Sequence, residues 1–272
     1  MKNIARIYRF DDLSNLELLV ANFSDHQFDA HWHETWSIGV VLRGANDSSP
    51  NRNGDHIVKR GQISAIAPGQ IHGGSAIGQD GCHYFMFYPS TETILKAAES
   101  MEIKLASVHS GFFYQPELSQ KLCAAASVLT NSQANNFERE ESWIQALAEF
   151  INTIKHPSFY GFQKRDYIPL RSLMIAKEYL HDNYVNIFQL DELSKAAGMS
   201  KFHLCRQFTS TFGLSPSRYQ RQLKLQKAKV MLSFGENIAQ VAIACGFADQ
   251  SHLSRLFKLT YGVTPGSYRD RG

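Results

Sequence analysis

Two sets of side chains in this 272-residue chain have the types and spacing to do chemistry. The first is a group of histidines. His31 and His33 stand two residues apart, and His72 closes the run Pro68-Gly69-Gln70-Ile71-His72. On a strand, residues two apart share a face. A pair of imidazoles joined by a third from another strand can line a polar barrel mouth or ligate zinc, iron or nickel. The second set is a segment that occurs twice. Residues 203–219 recur forty-nine positions later as 252–268, with eight of seventeen positions identical, among them Arg206/Arg255, Phe208/Phe257 and Gly213/Gly262. An arginine placed at the same point of two like frames suits bidentate contact with the acceptor edge of guanine.

A repeat of this period is a supersecondary unit used twice. Each copy reads as a helix-turn-helix, with small residues where the helices cross: Ala196 and Gly198 in the first, Ala242 and Gly246 in the second. Ser200 is the expected N-cap of a helix with Leu204, Phe208 and Phe212 inward. The opposite ridge then carries Phe202, Cys205, Arg206 and Thr209. In the second copy the ridge is Ser251, Ser254, Arg255 and Lys258, with Gln250 and His252 at the helix start. We expect base contacts from Phe202, Cys205, Arg206, Gln250, Ser251, His252, Ser254 and Arg255. Phosphate contacts, which position without specifying, are expected from Lys201, Thr209, Arg218, Arg221, Lys224, Lys227 and Lys258. Between the copies, Pro216 opens a helix of about 27 Å, close to the ~34 Å between successive major-groove faces.

Charge supports that division. From Tyr167 to Gly272 there are 14 Lys/Arg against 7 Asp/Glu, whereas the remainder of the chain has a balance of −4. A basic C-terminal third suits a polyanion. The four cysteines are scattered, which argues against a zinc knuckle or a disulfide framework. No apolar run approaches membrane-spanning length, and MKNIARIYRFDD lacks a signal-peptide core, so a cytoplasmic protein without membrane partners is expected.

The N-terminal part reads as many short strands punctuated by Gly and Pro, including 35–44 and 82–90, with a polar loop at 46–55. Residues 91–155 read as three helices, about 91–106, 116–131 and 138–155. In the last, Trp143, Leu147 and Ile151 form an apolar stripe flanked by Ile144 and Ile154, which either caps the strands or makes a homodimer face. The expected fold class is α+β in two domains. A cupin-like β-barrel at 1–90 is followed by the helices of 91–155, a linker at 156–167, and an all-α double helix-turn-helix domain at 168–272 with units at about 190–213 and 238–262.

Residues 170–270 resemble the DNA-binding domain of the AraC/XylS family of bacterial transcription regulators. The resemblance rests on Ala197-Gly198-Met199-Ser200, His203, Leu204, Arg206 and Phe208, on the run from Gly246 to Phe257, and on the ending from Gly262 to Arg269. Two departures lie in the first unit: Ser194 where the family places alanine, and Cys205 where a polar reader is usual. The resemblance implies two recognition helices in the major groove of double-stranded DNA, with RNA polymerase as a further partner of an activator. The His31-x-His33 pair and the turn from Gly61 to His72 resemble the two cupin motifs and the sensor domain common at the N-terminus of such regulators. A small-molecule effector is then expected among His31, His33, Trp36, His72 and Tyr84. No cofactor and no catalytic residue are expected. Metal-binding cupins add a glutamate a few residues beyond the second histidine, and Glu34 lies too close on the strand, so the metal reading of His31, His33 and His72 stays secondary. The alternative from another class is a metal-dependent cupin enzyme with an accessory basic helical domain.

Overall fold

In the computed structural model the described residues are 3–49, 56–105, 110–155, 170–186 and 189–270, and they fall into two compact units that meet in sequence at 164/165. The first unit is built on one long strand. Its strands are β1 (Ile4–Phe10), β2 (Leu16–Phe23), β3 (Gln27–His31), β4 (Ser37–Asp47), β5 (Ile57–Lys59), β6 (Gln62–Ile66), β7 (His72–Tyr88) and β8 (Gly111–Tyr114). All pairings are antiparallel. The C-terminal half of β7 lies between β2 and β4 in the order β1-β2-β7-β4-β6-β8, and its N-terminal half pairs with β3. The expected barrel is thus a bent eight-stranded sheet.

The bend has a backbone cause. The β4–β7 register jumps from Gly44↔Cys82 to Ala45↔Ile77, so four residues of β7 bulge out. Gly44 and Gly81 both have positive φ, and a Cβ on Gly44 would lie 1.8 Å from the Gly81 carbonyl oxygen. Only glycine allows that approach.

Strand alternation sorts the two faces. One face carries Leu16, Leu18, Ile38, Val40, Ile63 and Phe87, and it is covered by α1 (Thr91–Ser100), α2 (Pro116–Thr130) and α3 (Asn136–Ile154). Asn135 caps α3 through a reciprocal capping box with Glu138. The Trp143 stripe faces inward: Trp143, Leu147, Ile151 and Ile154 are all buried, and the Trp143 indole stacks on Phe87 with ring centroids 5.3 Å apart. This corrects the reading of the stripe as a dimer face, because the sheet already covers it. Two further corrections concern the same segment. The first helix stops at Ser100, short of the expected 106, and β8 adds a strand to β6 in the gap between the first two expected helices, where no strand was expected. The expected loop at 46–55 begins later, since β4 runs to Asp47, and its remainder at 50–55 lies outside the described residues. The expected linker, 156–167, also lies outside them.

The second unit is helical: α4 (Arg171–Asp182), α5 (Leu190–Ala196), α6 (Lys201–Phe212), α7 (Pro216–Ser233), α8 (Ile238–Ala244), α9 (Gln250–Tyr261) and α10 (Pro265–Arg269). Leu193, Leu204, Phe208 and Tyr219 build the core around α6, and Val241, Ala242, Leu253, Phe257 and Tyr268 build the one around α9. The small buried residues where α5 meets α6 are Ser194 and Ala197; Ala196, expected there, is exposed. Ser194 keeps its place because its hydroxyl donates to the Asp191 carbonyl at 2.9 Å.

The inward position of the α3 stripe sets a stability test. Trp143→Ala should lower the unfolding free energy of the first unit by about 3–5 kcal/mol, whereas Ile144→Ala, next to it but exposed, should change it by less than about 0.5 kcal/mol. Denaturant melts of the full-length variants check this, and equal effects would put the stripe on the surface.

Candidate functional site

The residues expected to contact bases sit on α6 and α9, two twelve-residue helices with matching ends. The Ser200 hydroxyl accepts from the His203 N–H at 3.3 Å, and the Asp249 carboxylate accepts from the His252 N–H at 2.7 Å. Each helix stops at a glycine, Gly213 or Gly262. Between them α7 runs eighteen residues, about 27 Å.

On α6 the apolar stripe Leu204 and Phe208 is fully buried, which turns Phe202 and Arg206 to solvent; Cys205 is half-buried between the faces. Phe202 is 79% exposed, a large cost in water for a ring with no packing role. On α9 Gln250, Ser251, Arg255 and Lys258 are exposed, while Ser254 is half-buried. His252 is partly used within the domain. Its ring packs edge-on to Phe247 with centroids 5.6 Å apart, and its Nδ1 lies 3.4 Å from the Ala248 N–H.

The cations expected at phosphates divide by what they touch. Lys227, Arg218 and Lys258 are exposed, Arg221 is half-buried, and Lys201 reaches Asp191 at 2.7 Å across a solvent-exposed pair. Thr209 is exposed, and its hydroxyl donates to the Cys205 carbonyl at 2.7 Å. Lys224 is a correction. From α7 its ammonium donates to the Gly246 carbonyl at 2.9 Å, in the turn between α8 and α9. Burial holds its pKa below the usual lysine value. That turn is tight: a Cβ on Gly246 would lie 2.4 Å from the Val185 carbonyl oxygen. Lys224 therefore holds the second turn against the connecting helix, a role its position in the basic run did not reveal.

The second site lies on the other face of the bent sheet. His31 pairs directly with His72 in the β3–β7 register, and the His33 ring lies against both, its centroid 4.8 Å from that of His31 and 5.2 Å from that of His72. The turn that delivers His72 is tied to His33 through the Gly69 N–H, which donates to the His33 carbonyl at 2.9 Å. The His31 Nδ1 lies 2.6 Å from the Asp29 carbonyl oxygen and the His72 Nδ1 lies 2.9 Å from that of Gln70. A carbonyl only accepts, so both Nδ1 atoms carry the proton. His31 Nε2 lies 3.1 Å from His33 Nε2. Burial lowers the His72 pKa to about 4, against the opposing pull of its bond to Gln70, so the ring is neutral at physiological pH.

Of the expected effector-lining residues, the structure brings His31, His33 and His72 together. Tyr84 is buried on the same face and joins them through Phe23 and Phe28. Trp36 is a correction: it packs in the helix-covered core, 6.0 Å from the Phe150 ring. Trp36 stands just before β4, two residues ahead of Ile38, and it shares the core with Ile38 and Val40. Sequence reasoning missed Tyr88, whose ring lies 5.0 Å from that of His33. It also missed Glu17, opposite Tyr88 across the sheet. Burial, then the Glu17 carboxylate, push the Tyr88 phenol above its ordinary pKa. Ser37 and Ser64 complete this polar interior, each with a buried hydroxyl that has no hydrogen-bond partner among the described residues.

Residues 193–271 match the family described as Helix-turn-helix domain, and residues 14–147 match the AraC-like ligand binding domain. The chain belongs to the AraC family of transcription regulators. The chain is 25% identical over 257 residues to the uncharacterized HTH-type transcriptional regulator YbfI of Bacillus subtilis (strain 168), covering 93% of this chain and 91% of that one. Its similarity to the HTH-type transcriptional regulator MtrA of Neisseria gonorrhoeae, 36% identity over 86 residues, spans 31% of this chain and 29% of that protein. The crystal structure of ToxT from Vibrio cholerae O395 shares the fold, with a TM-score of 0.57 at 14% identity over 99% of this chain and 97% of that one. This family member thus has an antiparallel-sheet ligand-binding domain and a helical DNA-binding domain, and no described helix is long and apolar enough to cross a membrane.

The placement of Lys224 separates a structural cation from a DNA-binding one. Lys224→Met should destabilise the helical unit by about 1–3 kcal/mol, because the Gly246 carbonyl loses its donor. The slope of log affinity for DNA against log salt should stay at the wild-type value. Lys227→Ala, which removes an exposed cation, should flatten that slope by about 1. Melts and salt-titrated binding assays read the two effects, and a flatter slope in Lys224→Met would return that residue to the phosphate set.

Proposed function

We propose that this regulator reads two segments of major groove with α6 and α9, and that a small-molecule effector held on the interior face of its N-terminal sheet sets the affinity for DNA. The observation that carries the first part is the pair of equivalent exposed ridges, Phe202 and Arg206 on α6 and Gln250, Ser251 and Arg255 on α9, on helices of equal length and like capping. The ridges are unequal readers. That of α9 is polar, whereas that of α6 pairs one arginine with an exposed aromatic ring, which suits the methyl group of thymine. Support for the second part comes from the match to a ligand-binding family and from the polar interior around His33, Tyr88, Ser37 and Ser64. ToxT has itself been solved with an unsaturated fatty acid bound.

An effector acts on DNA affinity only through different affinities for two states of the protein. RNA polymerase is the expected further partner at a bound promoter, and the protein acts from the cytoplasm. A homodimer through 91–155 would have to use exposed residues such as Phe137 and Ile144, since the Trp143 stripe is spent on the core.

A genome-wide map of bound sites supplies the operator for two tests. Arg255→Ala should weaken specific binding by about 1–3 kcal/mol at one position of the site with the fold intact by circular dichroism; an unchanged footprint and sequence preference would count against the assignment. Replacing thymine by deoxyuridine in the half-site under α6 should weaken wild-type binding by several-fold. Phe202→Ala should be insensitive to that replacement, and equal sensitivity in both proteins would remove Phe202 as a reader.

A further inference from the structure

We propose that His31, His33 and His72 form a site for one divalent transition-metal ion of the zinc, cobalt, nickel and iron group, held by three imidazoles with a coordination position left open. The proposal rests on reading the interior of the N-terminal sheet as the regulator's ligand-receiving part. One nitrogen from each of the three rings lies within 4.8 Å of the others. In a tetrahedral centre with metal–nitrogen bonds of ~2.0–2.1 Å, the nitrogens stand about 3.3 Å apart. The His31 and His33 Nε2 atoms are already 3.1 Å apart, so a small rotation of His72 closes the set.

The tautomers favour the same result. With Nδ1 of His31 and of His72 donating to backbone carbonyls, each ring keeps its lone pair on Nε2. That is how metal-binding imidazoles are held and oriented. In the metal-free molecule, with His31 neutral, His33 Nε2 donates to the His31 lone pair; when a metal ion takes that position, His33 passes to its other neutral tautomer, the Nε2 proton leaving to solvent and Nδ1 taking one up. The frame exists before the ion arrives, because His31 and His72 are opposite one another in the sheet and the His72 turn is bonded to His33.

The donor set excludes the hard cations. Calcium and magnesium demand several oxygen ligands, and here all three donors are imidazoles. The nearest carboxylate in sequence, Glu34, is turned to the Trp32 indole, whose Nε1 donates to it at 3.3 Å. Three protein ligands leave the fourth position exchangeable. The polar groups of the same face, Tyr88 and the unpartnered Ser37 and Ser64 hydroxyls, give a small ligand at that position something to bond.

The test uses the full-length protein, stripped with a chelator and dialysed against zinc or cobalt(II). Wild type should hold one equivalent of either metal by elemental analysis and show the intense visible absorption of four-coordinate cobalt. Zinc should also raise the melting midpoint. His31→Gln and His72→Gln should lose all three signals, while His203→Ala, on α6, keeps them. Substoichiometric metal in wild type, or equal metal in wild type and both glutamine variants, overturns the site. If a glutamine variant fails to fold, the cobalt spectrum of wild type decides, since absorption of six-coordinate intensity is incompatible with the site. Operator binding measured with chelator and with zinc keeps the two readings apart: loss of DNA binding under both conditions would strike the regulator reading, and DNA binding without stoichiometric metal would strike only this one.

Discussion

The approach of Gly44 to Gly81 is the constraint on which the N-terminal unit depends. There β4 and β7 touch through backbone, in a space that no Cβ can enter. The contact lets one pair of long strands change register and serve two sets of neighbours: β2 and β6 on one side of the bulge, β3 and β5 on the other. Without it a seventeen-residue strand would run on as a flat ladder, and His72 could not pair with His31 while Tyr88, at the far end of the same strand, lies against His33. A local backbone contact thus brings together groups far apart in the chain.

Given that bend, the two faces of the sheet have different work. One is dry, filled by leucine, isoleucine and aromatic side chains against three helices, and its burial supplies the driving force for folding. The other tolerates imidazoles, a phenol, hydroxyls and a carboxylate because backbone carbonyls and neighbouring rings satisfy many of them. The division follows from alternation along each strand, so Ser37 and Ile38, neighbours in β4, take opposite sides. In the helical unit the division is by helical phase: the buried ridge of α6 or α9 fixes the exposed one, and local caps fix where each helix starts.

Much of this was legible in the residues themselves. The repeat, its outward ridges and its caps follow from local rules that act within one or two turns of helix, and Ser200, Gly213 and Pro216 stand where the structure starts and stops its helices. The three histidines could be named because H-x-H and a Pro-Gly turn are local patterns as well. What escaped was set by partners distant in sequence. Lys224 looks like any other cation of a basic run until Gly246, twenty-two residues on, folds back to accept its bond. Ser194 and Ala197 are buried and Ala196 is not, because which small residue is covered depends on how the next helix lies against α5. Tyr88 and Glu17 join the histidine site through strand register, which no window of sequence contains.

By itself, then, the sequence determined the two-part plan, the duplicated helix-turn-helix frame and most of the side chains that α6 and α9 turn outward, since periodicity and capping are properties of neighbouring residues. Tertiary structure alone decided that the α3 stripe belongs to the core, that Lys224 braces a turn, and that three imidazoles gather with one nitrogen of each within 4.8 Å of the others. Those outcomes depend on distances between residues far apart in the chain, and a distance of that kind exists only once the backbone has closed on itself.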